Sequence, residues 1–131
     1  MMYALDTNIL SYFFKGIGQV AERLLATPPS EIAIPSVVLF ELEFGLERSS
    51  RAAQRREQLQ ELLSLLTILP FGSAEARAVA VIRADLERAG TPIGPYDLLI
   101  AGTALHHGAV LVTHNTKELG RVRGLKLEDW T

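Results

Sequence analysis

Short apolar runs separate longer segments in which apolar residues recur at helical spacing. The runs stand at residues 2–5, 32–34, 67–69 and 109–113 of the 131-residue chain, and residues 125–127 are a predicted edge strand. Continuous rather than alternating apolar runs are typical of parallel strands covered on both faces. Because strands and helices alternate along the chain, the pattern predicts one α/β domain over residues 1–131. Its expected architecture is a three-layer α/β/α fold with a short central parallel sheet.

The segments between these runs are predicted helices. They cover residues 7–15, 20–26, 36–47, 50–66, 73–90 and 95–108, with a further helical turn at 118–119. Asp6, Ser36 and Ser73 stand where a helix begins and carry side chains suited to N-capping. The helix that follows Gly94–Pro95 is apolar on nearly all sides, which predicts that it is buried.

Composition and charge exclude several classes of protein. Hydrophobic residues at 48% and charged residues at 21% exclude a disordered chain. The absence of cysteine excludes a disulfide scaffold, a thiolate zinc site and a cysteine nucleophile. A net charge of −2 provides no overall basic field for nucleic acid, so only a local basic face is compatible with such a role. His106 and His107 are adjacent in a predicted helix and are expected to point away from each other, which disfavours a histidine metal site.

No secretory or membrane-spanning segment is recognisable in the sequence. The first ten residues lack a basic start and include Asp6, and every apolar run is far shorter than the roughly 20 residues of a spanning helix. We therefore expect a soluble cytoplasmic protein with no membrane contact.

Four polar residues that are far apart in the sequence are predicted to meet at the carboxyl ends of the strands, where parallel α/β sheets form their binding sites. Asp6 follows the first strand, and Asn115 follows the strand at 109–113. Glu41 lies in an otherwise apolar helix, and Asp97 lies in the first turn of the buried helix. Each has an ordinary structural explanation, as a helix cap, a solvated side chain or a partner of a helix dipole.

Binding of a divalent cation would explain why these carboxylates are gathered in one place. Carboxylates in one partly buried cleft repel each other, and a cation removes that cost. Oxygen ligands without histidine or cysteine favour Mg²⁺, with Mn²⁺ as the alternative. Glu41 is preferred to Glu43 because residues two apart lie about 200° apart on a helix, so only one of them faces the cleft. Glu43 is expected to be solvated.

Four of the ten arginines lie between residues 48 and 56. Arg48, Arg51 and Arg55 are predicted to share one helix face. One interpretation is a solvated face that pairs with neighbouring glutamates. The other is a cationic flank of the acidic cleft that contacts RNA phosphates.

Four segments resemble, in order and spacing, the motifs of PIN-domain nucleases, and they are most similar to VapC-type toxins of bacterial toxin–antitoxin pairs. The segments are Leu5–Asn8, Glu41–Gly45, Pro95–Ala101 and Val112–Asn115. The C-terminal segment Arg123–Trp130 also resembles this family, so the resemblance spans nearly the whole chain. It implies a magnesium-dependent endoribonuclease that hydrolyses phosphodiester bonds of RNA.

The resemblance also implies roles for individual residues. The catalytic and metal-binding acids would be Asp6, Glu41 and Asp97. Polar neighbours are expected to hold these ligands or the phosphate by hydrogen bonds. These neighbours are Asn8, Thr113 and Asn115. Many PIN domains carry a fourth acid where this chain has Asn115, so a second metal ion would be held less firmly, with Glu118 as a substitute one turn later.

The resemblance further implies a substrate and partners. Gly94–Asp97 and the Thr-x-Asn of residues 113–115 are similar to a subgroup that cuts initiator tRNA in its anticodon stem-loop. A VapB-type antitoxin is expected to block the acidic cleft by placing a cation there. It would also cover the apolar surface formed by Phe13, Phe14, Leu42 and Leu46. A two-fold homodimer is expected as well.

Two alternatives belong to other functional classes. A receiver-like domain also gathers acids and magnesium at strand ends, but it needs an acidic residue after a central strand, and Ile34–Ser36 provides none. A non-catalytic module that binds RNA or protein is the other alternative. The absence of metal affinity would favour that module.

Overall fold

A computed structural model describes residues 1–131 and contains one five-stranded sheet. Its strand order is β3-β2-β1-β4-β5, and every neighbouring pair is parallel. The strands are β1 (Tyr3–Leu5), β2 (Ile32–Pro35), β3 (Thr67–Leu69), β4 (Val110–Val112) and β5 (Leu127–Glu128). The predicted parallel sheet is confirmed, and the predicted edge strand at residues 125–127 is β5, shifted towards the C-terminus.

Seven helices flank the sheet and alternate with its strands. They are α1 (Thr7–Lys15), α2 (Val20–Ala26), α3 (Ser36–Glu47), α4 (Ala52–Leu63), α5 (Ser73–Arg88), α6 (Pro95–His106) and α7 (Thr116–Leu119). A short 3₁₀ turn precedes β2. None of these helices combines the length and the apolar character that a membrane crossing requires. The predicted α/β class is therefore confirmed.

Three local predictions are wrong. The helix predicted over residues 50–66 is shorter, because residues 48–51 form the turn between α3 and α4. Ser36 and Ser73 are not N-caps but the first residues of their helices. Pro35, with its fixed φ, precedes α3, and the N–H of Gly72 at the start of α5 donates to Glu75 Oε1 at 2.8 Å. The backbone and a glutamate thus replace the expected serine caps.

The core is built from the central strands and from buried residues of the surrounding helices, above all α1, α2, α5 and α6. Leu5, Ile34 and Leu111 come from β1, β2 and β4 and are completely buried. Half of the residues of α6 are buried too, six of twelve, in line with its all-round apolar pattern. Trp130 is 2% exposed and packs with its ring centroid 5.5 Å from that of Tyr3. The C-terminal segment is therefore part of the folded domain.

Parallel pairing brings the carboxyl ends of β1 and β4 to the same edge of the sheet. Leu5 is paired with Val112, and the N–H of Asp6 donates to the carbonyl oxygen of Val112 at 3.1 Å. This register places Asp6 beside Thr113, the first residue after β4. The sheet therefore positions the two segments that carry Asp6 and Asn115.

Helices α5 and α6 approach each other closely at Gly102. A Cβ atom at this position would lie 2.3 Å from Val79 Cγ2. We expect Gly102→Ala to lower the free energy of unfolding by about 1–3 kcal/mol, because the helices must separate. Gly45→Ala in α3 is the matched control, since its Cβ would meet nothing within 4 Å. It should raise the free energy of unfolding by up to about 1 kcal/mol. Urea unfolding measures both, and equal effects would contradict the close approach.

Candidate active site

Asp6 lies at the junction of β1 and α1, and its carboxylate accepts hydrogen bonds from two residues. Its Oδ1 accepts a hydrogen bond from the N–H of Ile9 at 3.0 Å, which confirms that Asp6 caps α1. The hydroxyl of Thr113 also donates to this carboxylate. Asp6 is buried at the edge of the sheet, with 6% of its surface exposed.

Glu41 reaches the start of α1 from the middle of α3. The Thr7 hydroxyl donates to Glu41 Oε1 at 2.6 Å. Thr7 directly follows Asp6, so this contact ties the two acids to one turn of chain. The sequence pattern predicted polar support from Asn8 and no role for Thr7. Asn8 directly follows Thr7 in the first turn of α1, and it is exposed.

Asp97 lies in the first turn of α6, after Gly94 and Pro95, and is partly buried. The side chain of Asn115 is hydrogen-bonded to it. Asn115 Nδ2 also donates to Glu118 Oε2 at 3.3 Å, and the N–H of Asn115 donates to Thr113 Oγ1 at 3.0 Å. Asn115 therefore joins the segment after β4 to the start of α6 and to α7.

Burial and neighbouring charges raise the pKa of Asp6 and of Asp97 in this cluster. Burial is the main cause that raises the pKa of Asp6, and the charges of Asp97 and Glu41 add to it against the hydrogen bonds from Thr113 and Ile9. Burial also raises the pKa of Asp97, followed by the charges of Glu118 and Glu41, while the hydrogen bond from Asn115 opposes this rise. The structure thus brings Asp6 and Asp97 into surroundings that destabilise their ionised forms.

No basic side chain of the chain balances this cluster. None of the ion pairs in the structure includes any of the four acids. The donors are carboxylate and amide oxygens, which suit a hard divalent cation. The cluster is open, because the four acids do not provide three carboxylate oxygens that all lie within 4.8 Å of one another.

A cleft of about 280 Å³ lies beside Glu41, between α1, α3 and α4. Its lining combines apolar, polar and basic side chains. They are Thr7, Ser11, Phe14, Lys15, Glu41, Leu42, Gly45, Leu46, Ser49, Arg55 and Leu59. Of the four acids only Glu41 lines the cleft, together with two basic residues, Lys15 and Arg55.

Comparison with known proteins decides the family. The model of the PIN domain family matches residues 3–125. This chain belongs to the PIN-domain family.

Individual relatives place this PIN domain among the VapC proteins. The chain is 35% identical over 131 residues to a tRNA(fMet)-specific endonuclease VapC of Shigella flexneri, covering 100% of this chain and 99% of the relative. It is 36% identical to Ribonuclease VapC2 of Rickettsia felis, covering 99% and 98% of the two chains. A crystal structure of VapBC2 from Rickettsia felis, bound to a DNA fragment of its promoter, contains a chain that superposes with a TM-score of 0.92. The two chains are 37% identical, and the match covers 100% of each. The predicted PIN-like α/β/α fold is confirmed.

The receiver-like alternative is excluded for this PIN domain. Receiver domains have the strand order 2-1-3-4-5, whereas this sheet has the order β3-β2-β1-β4-β5. The first strand is central here but not in a receiver domain, and β4 rather than β3 lies beside it. The acids therefore come from a different set of elements.

The predicted arginine face of this PIN domain is wrong. Arg48 ends α3, and its guanidinium lies 5.5 Å from the centroid of the Phe44 ring. Arg51 precedes α4, and only Arg55 of the three lines the cleft. The chain turns between α3 and α4, so the three side chains cannot share a face of one helix.

The fourth arginine of this segment forms ion pairs within the domain. Arg56 Nη1 lies 2.5 Å from Glu43 Oε2, and its Nη2 lies 3.4 Å from Glu47 Oε1. The sequence predicted that Glu43 is solvated, but in the structure it forms an ion pair with Arg56. Its contact with Arg56 supports the choice of Glu41 as the acid that faces the cleft.

Proposed function

We propose that Asp6, Glu41 and Asp97 hold a Mg²⁺ ion with which this endoribonuclease toxin hydrolyses a phosphodiester bond of RNA. PIN-domain nucleases are metal-dependent. The observation that carries the proposal is the cluster of acids at the carboxyl ends of β1 and β4, in which burial and like charges raise the pKa of Asp6 and Asp97. Mn²⁺ has the same oxygen-ligand preference and is the alternative ion.

The chain's own residues orient the ligands. Thr113 and the N–H of Ile9 fix Asp6, and Thr7 fixes Oε1 of Glu41, which leaves Oε2 to bind the cation or to orient the attacking water. When bound, the cation supplies Lewis acidity and positive charge for the hydrolysis.

Asn115 supports Asp97 rather than acting as a fourth acid. It is neutral and is hydrogen-bonded to both Asp97 and Glu118. We propose that Glu118 takes the place of the missing acid and that its negative charge helps to attract a second cation. The charge of Glu118 helps to raise the pKa of Asp97, so the two carboxylates are neighbours, as this role requires.

The substrate that we propose is initiator tRNA, cut in the anticodon stem-loop. The relative from Shigella flexneri is named for an activity on tRNA(fMet), and it is similar over the full length of this chain. The segment Gly94–Asp97 and the Thr-x-Asn of residues 113–115 flank the acidic cluster in the fold, where a bound strand would pass. The cytoplasm is the compartment in which such a substrate is available.

Arg55 is the arginine that we propose to contact RNA phosphates, with Lys15 across the cleft. We expect Arg55→Glu to weaken RNA binding and to reduce the slope of log affinity against log salt by about 1. Binding is measured in a chelator, so that the RNA stays intact. Arg77→Glu, at an exposed position of α5, is the matched control and should leave the slope unchanged. Equal slopes for Arg55→Glu and wild type would show that Arg55 is a solvated side chain that does not contact RNA phosphates.

A VapB-type antitoxin is the protein partner that we propose. The similar solved chain from Rickettsia felis belongs to a VapBC2 complex. The antitoxin would place a basic side chain among the acids, because no base of this chain occupies that position. It would also bury apolar residues against Phe14 and Leu42, which are partly exposed, whereas Leu46 is already 93% buried. Phe13 contacts Phe14 edge-on at 5.3 Å and extends this surface.

Magnesium titration with and without antitoxin tests cation placement. We expect the complex to bind Mg²⁺ more weakly than the free toxin. If the affinity is unchanged, and an antitoxin without the basic residue still inhibits fully, occlusion of the RNA path is the mechanism instead.

We also propose the two-fold homodimer that the sequence suggested. Phe40, Phe44 and Tyr96 are about half exposed, and the rings of Phe40 and Tyr96 are 5.9 Å apart. These aromatic side chains offer apolar surface for a second copy.

Calorimetric titration with Mg²⁺ separates the proposed enzyme from a non-catalytic binding module. Saturable binding that Asp97→Asn weakens supports the enzyme. Wild-type protein that binds RNA without any affinity for Mg²⁺ or Mn²⁺ would favour the module.

A further inference from the structure

A second group of metal-binding side chains lies at the other end of α6. His107 Nε2 is 2.8 Å from Glu75 Oε2, and His106 Nε2 is 3.9 Å from the same oxygen. The ligand atoms of the three residues all lie within 4.8 Å of one another. We propose that Glu75, His106 and His107 form a Zn²⁺ site that is separate from the acidic cluster.

The two adjacent histidines converge, although the sequence predicted that they diverge. His106 is the last residue of α6, and His107 stands after it, outside the helix. The N–H of His107 still donates to the carbonyl oxygen of Thr103 at 3.2 Å, so His107 follows the last helical turn. The conformations of the two side chains bring both Nε2 atoms to the same oxygen of Glu75. Their rings lie 5.0 Å apart, nearly perpendicular to each other.

The donor set favours zinc over magnesium. Two imidazole nitrogens and one carboxylate oxygen are a common ligand set for Zn²⁺, whereas Mg²⁺ prefers oxygen alone. Ligand atoms around a tetrahedral Zn²⁺ are about 3.3 Å apart, given metal–ligand distances of about 2.0–2.1 Å. The observed separations of 2.8 and 3.9 Å lie on either side of this value. Small side-chain rotations therefore suffice to bind the ion.

The fold fixes Glu75 in place. Its side chain is 6% exposed, and its Oε1 accepts the hydrogen bond from the N–H of Gly72, which leaves Oε2 for the histidines. The first turn of α5 favours the ionised carboxylate, because the positive end of the helix dipole lies there. The close approach of Gly102 to Val79 sets the position of α5 against α6. Glu75 is thus held facing the end of α6.

The site is open to solvent on the histidine side. The side chain of His107 is 26% exposed, and that of His106 is 41% exposed. An ion can enter from solvent, and water can complete its coordination. About 14 Å of helix separates His106 from Asp97, so the proposed site does not share ligands with the acidic cluster. Its effect would be to link α5 to α6 and to stabilise their packing.

Zinc titration of the tag-free protein tests this site. Excess Mg²⁺ is present throughout, to compete at the acidic cluster. We expect one Zn²⁺ per chain and an increase in Tm of the wild type. His106→Gln and His107→Gln should each weaken binding by about tenfold or more, because each removes one ligand. His114→Gln is the matched control, since His114 lies elsewhere and contacts Asp129 and Thr131. Asp97→Asn should bind Zn²⁺ like wild type.

Three results would overturn the proposal. They are the absence of saturable Zn²⁺ binding, an equal loss of affinity in His114→Gln, and a loss of the site in Asp97→Asn. Visible absorption of Co²⁺ as a zinc substitute gives a second readout, because imidazole coordination changes its spectrum. Circular dichroism checks that each variant is folded. Cleavage of RNA is not measured, so failure of the zinc site leaves the proposed function untouched.

Discussion

Asp97→Asn should lose RNA cleavage by at least about 100-fold while the protein remains folded. The substitution keeps the size of the side chain and one acceptor oxygen but removes the charge that would bind the cation. Loss of a metal ligand is expected to cost more than the 10- to 100-fold typical of residues that only support ligands. The measurement is the rate of cleavage in Mg²⁺, with Asp85→Asn as the matched control. Asp85 is an exposed aspartate on α5 that pairs with Arg88 at 2.7 Å.

The same substitution should not destabilise the metal-free protein. The pKa of Asp97 is raised above its ordinary value of 3.8 by burial, then by the charges of Glu118 and Glu41. A carboxyl whose pKa is raised by folding binds more protons in the folded state, so its contribution to stability is present at low pH. That contribution is lost as the pH rises through the folded pKa. In chelator, Asp97→Asn should therefore gain stability relative to wild type as the pH rises from about 4 to 7.

Unfolding by urea at the two pH values checks this prediction. Mg²⁺ should stabilise the wild type more than the variant, since ligands stabilise the state that binds them. Wild-type cleavage by Asp97→Asn would show that Asp97 is not a metal ligand. A variant that unfolds more easily in chelator at pH 7 would contradict the repulsion between the acids.

Asp6→Ala should lose cleavage to the same extent and also lose stability. The side chain caps α1 through the N–H of Ile9, and removing an N-cap costs about 1 kcal/mol. Relief of the repulsion from Asp97 and Glu41 offsets part of this cost. Unfolding in urea gives the stability, and cleavage in Mg²⁺ gives the activity.

Asp6→Asn separates the two roles of this residue. Asparagine is as good an N-cap as aspartate, so the helix should keep its stability while the charge is lost. We expect an inactive protein that is at least as stable as wild type in chelator. Full activity of Asp6→Asn would mean that Asp6 acts only as a cap.

The sequence predicted the fold and the meeting of the acids because both follow from strand polarity. Apolar runs located β1 and β4, and parallel strands end at one edge of the sheet, so Asp6 and Asn115 had to lie near each other. Asp97 followed from the Gly-Pro start of α6. These features depend on local sequence and on one rule of sheet geometry.

Other features depend on where the chain turns, and these could not be predicted. The turn at residues 48–51 contains neither glycine nor proline, so the arginines were predicted to lie on one helix. His106 and His107 both reach the same oxygen of Glu75 in α5, a contact between helices that helical spacing cannot anticipate. The contact between Thr7 and Glu41 joins residues 34 positions apart. Such contacts arise from the packing of α1 on α3.

Cleavage of RNA by the purified, antitoxin-free protein tests the central claim most directly. Total RNA is incubated with wild type and with Asp97→Asn, in Mg²⁺ and in chelator, and the new RNA ends are mapped by sequencing. We expect a few defined cuts, in the anticodon stem-loop of initiator tRNA, from wild type in Mg²⁺ only. Cuts that persist in chelator or in Asp97→Asn would contradict the account, and so would intact RNA after incubation with wild type that binds Mg²⁺.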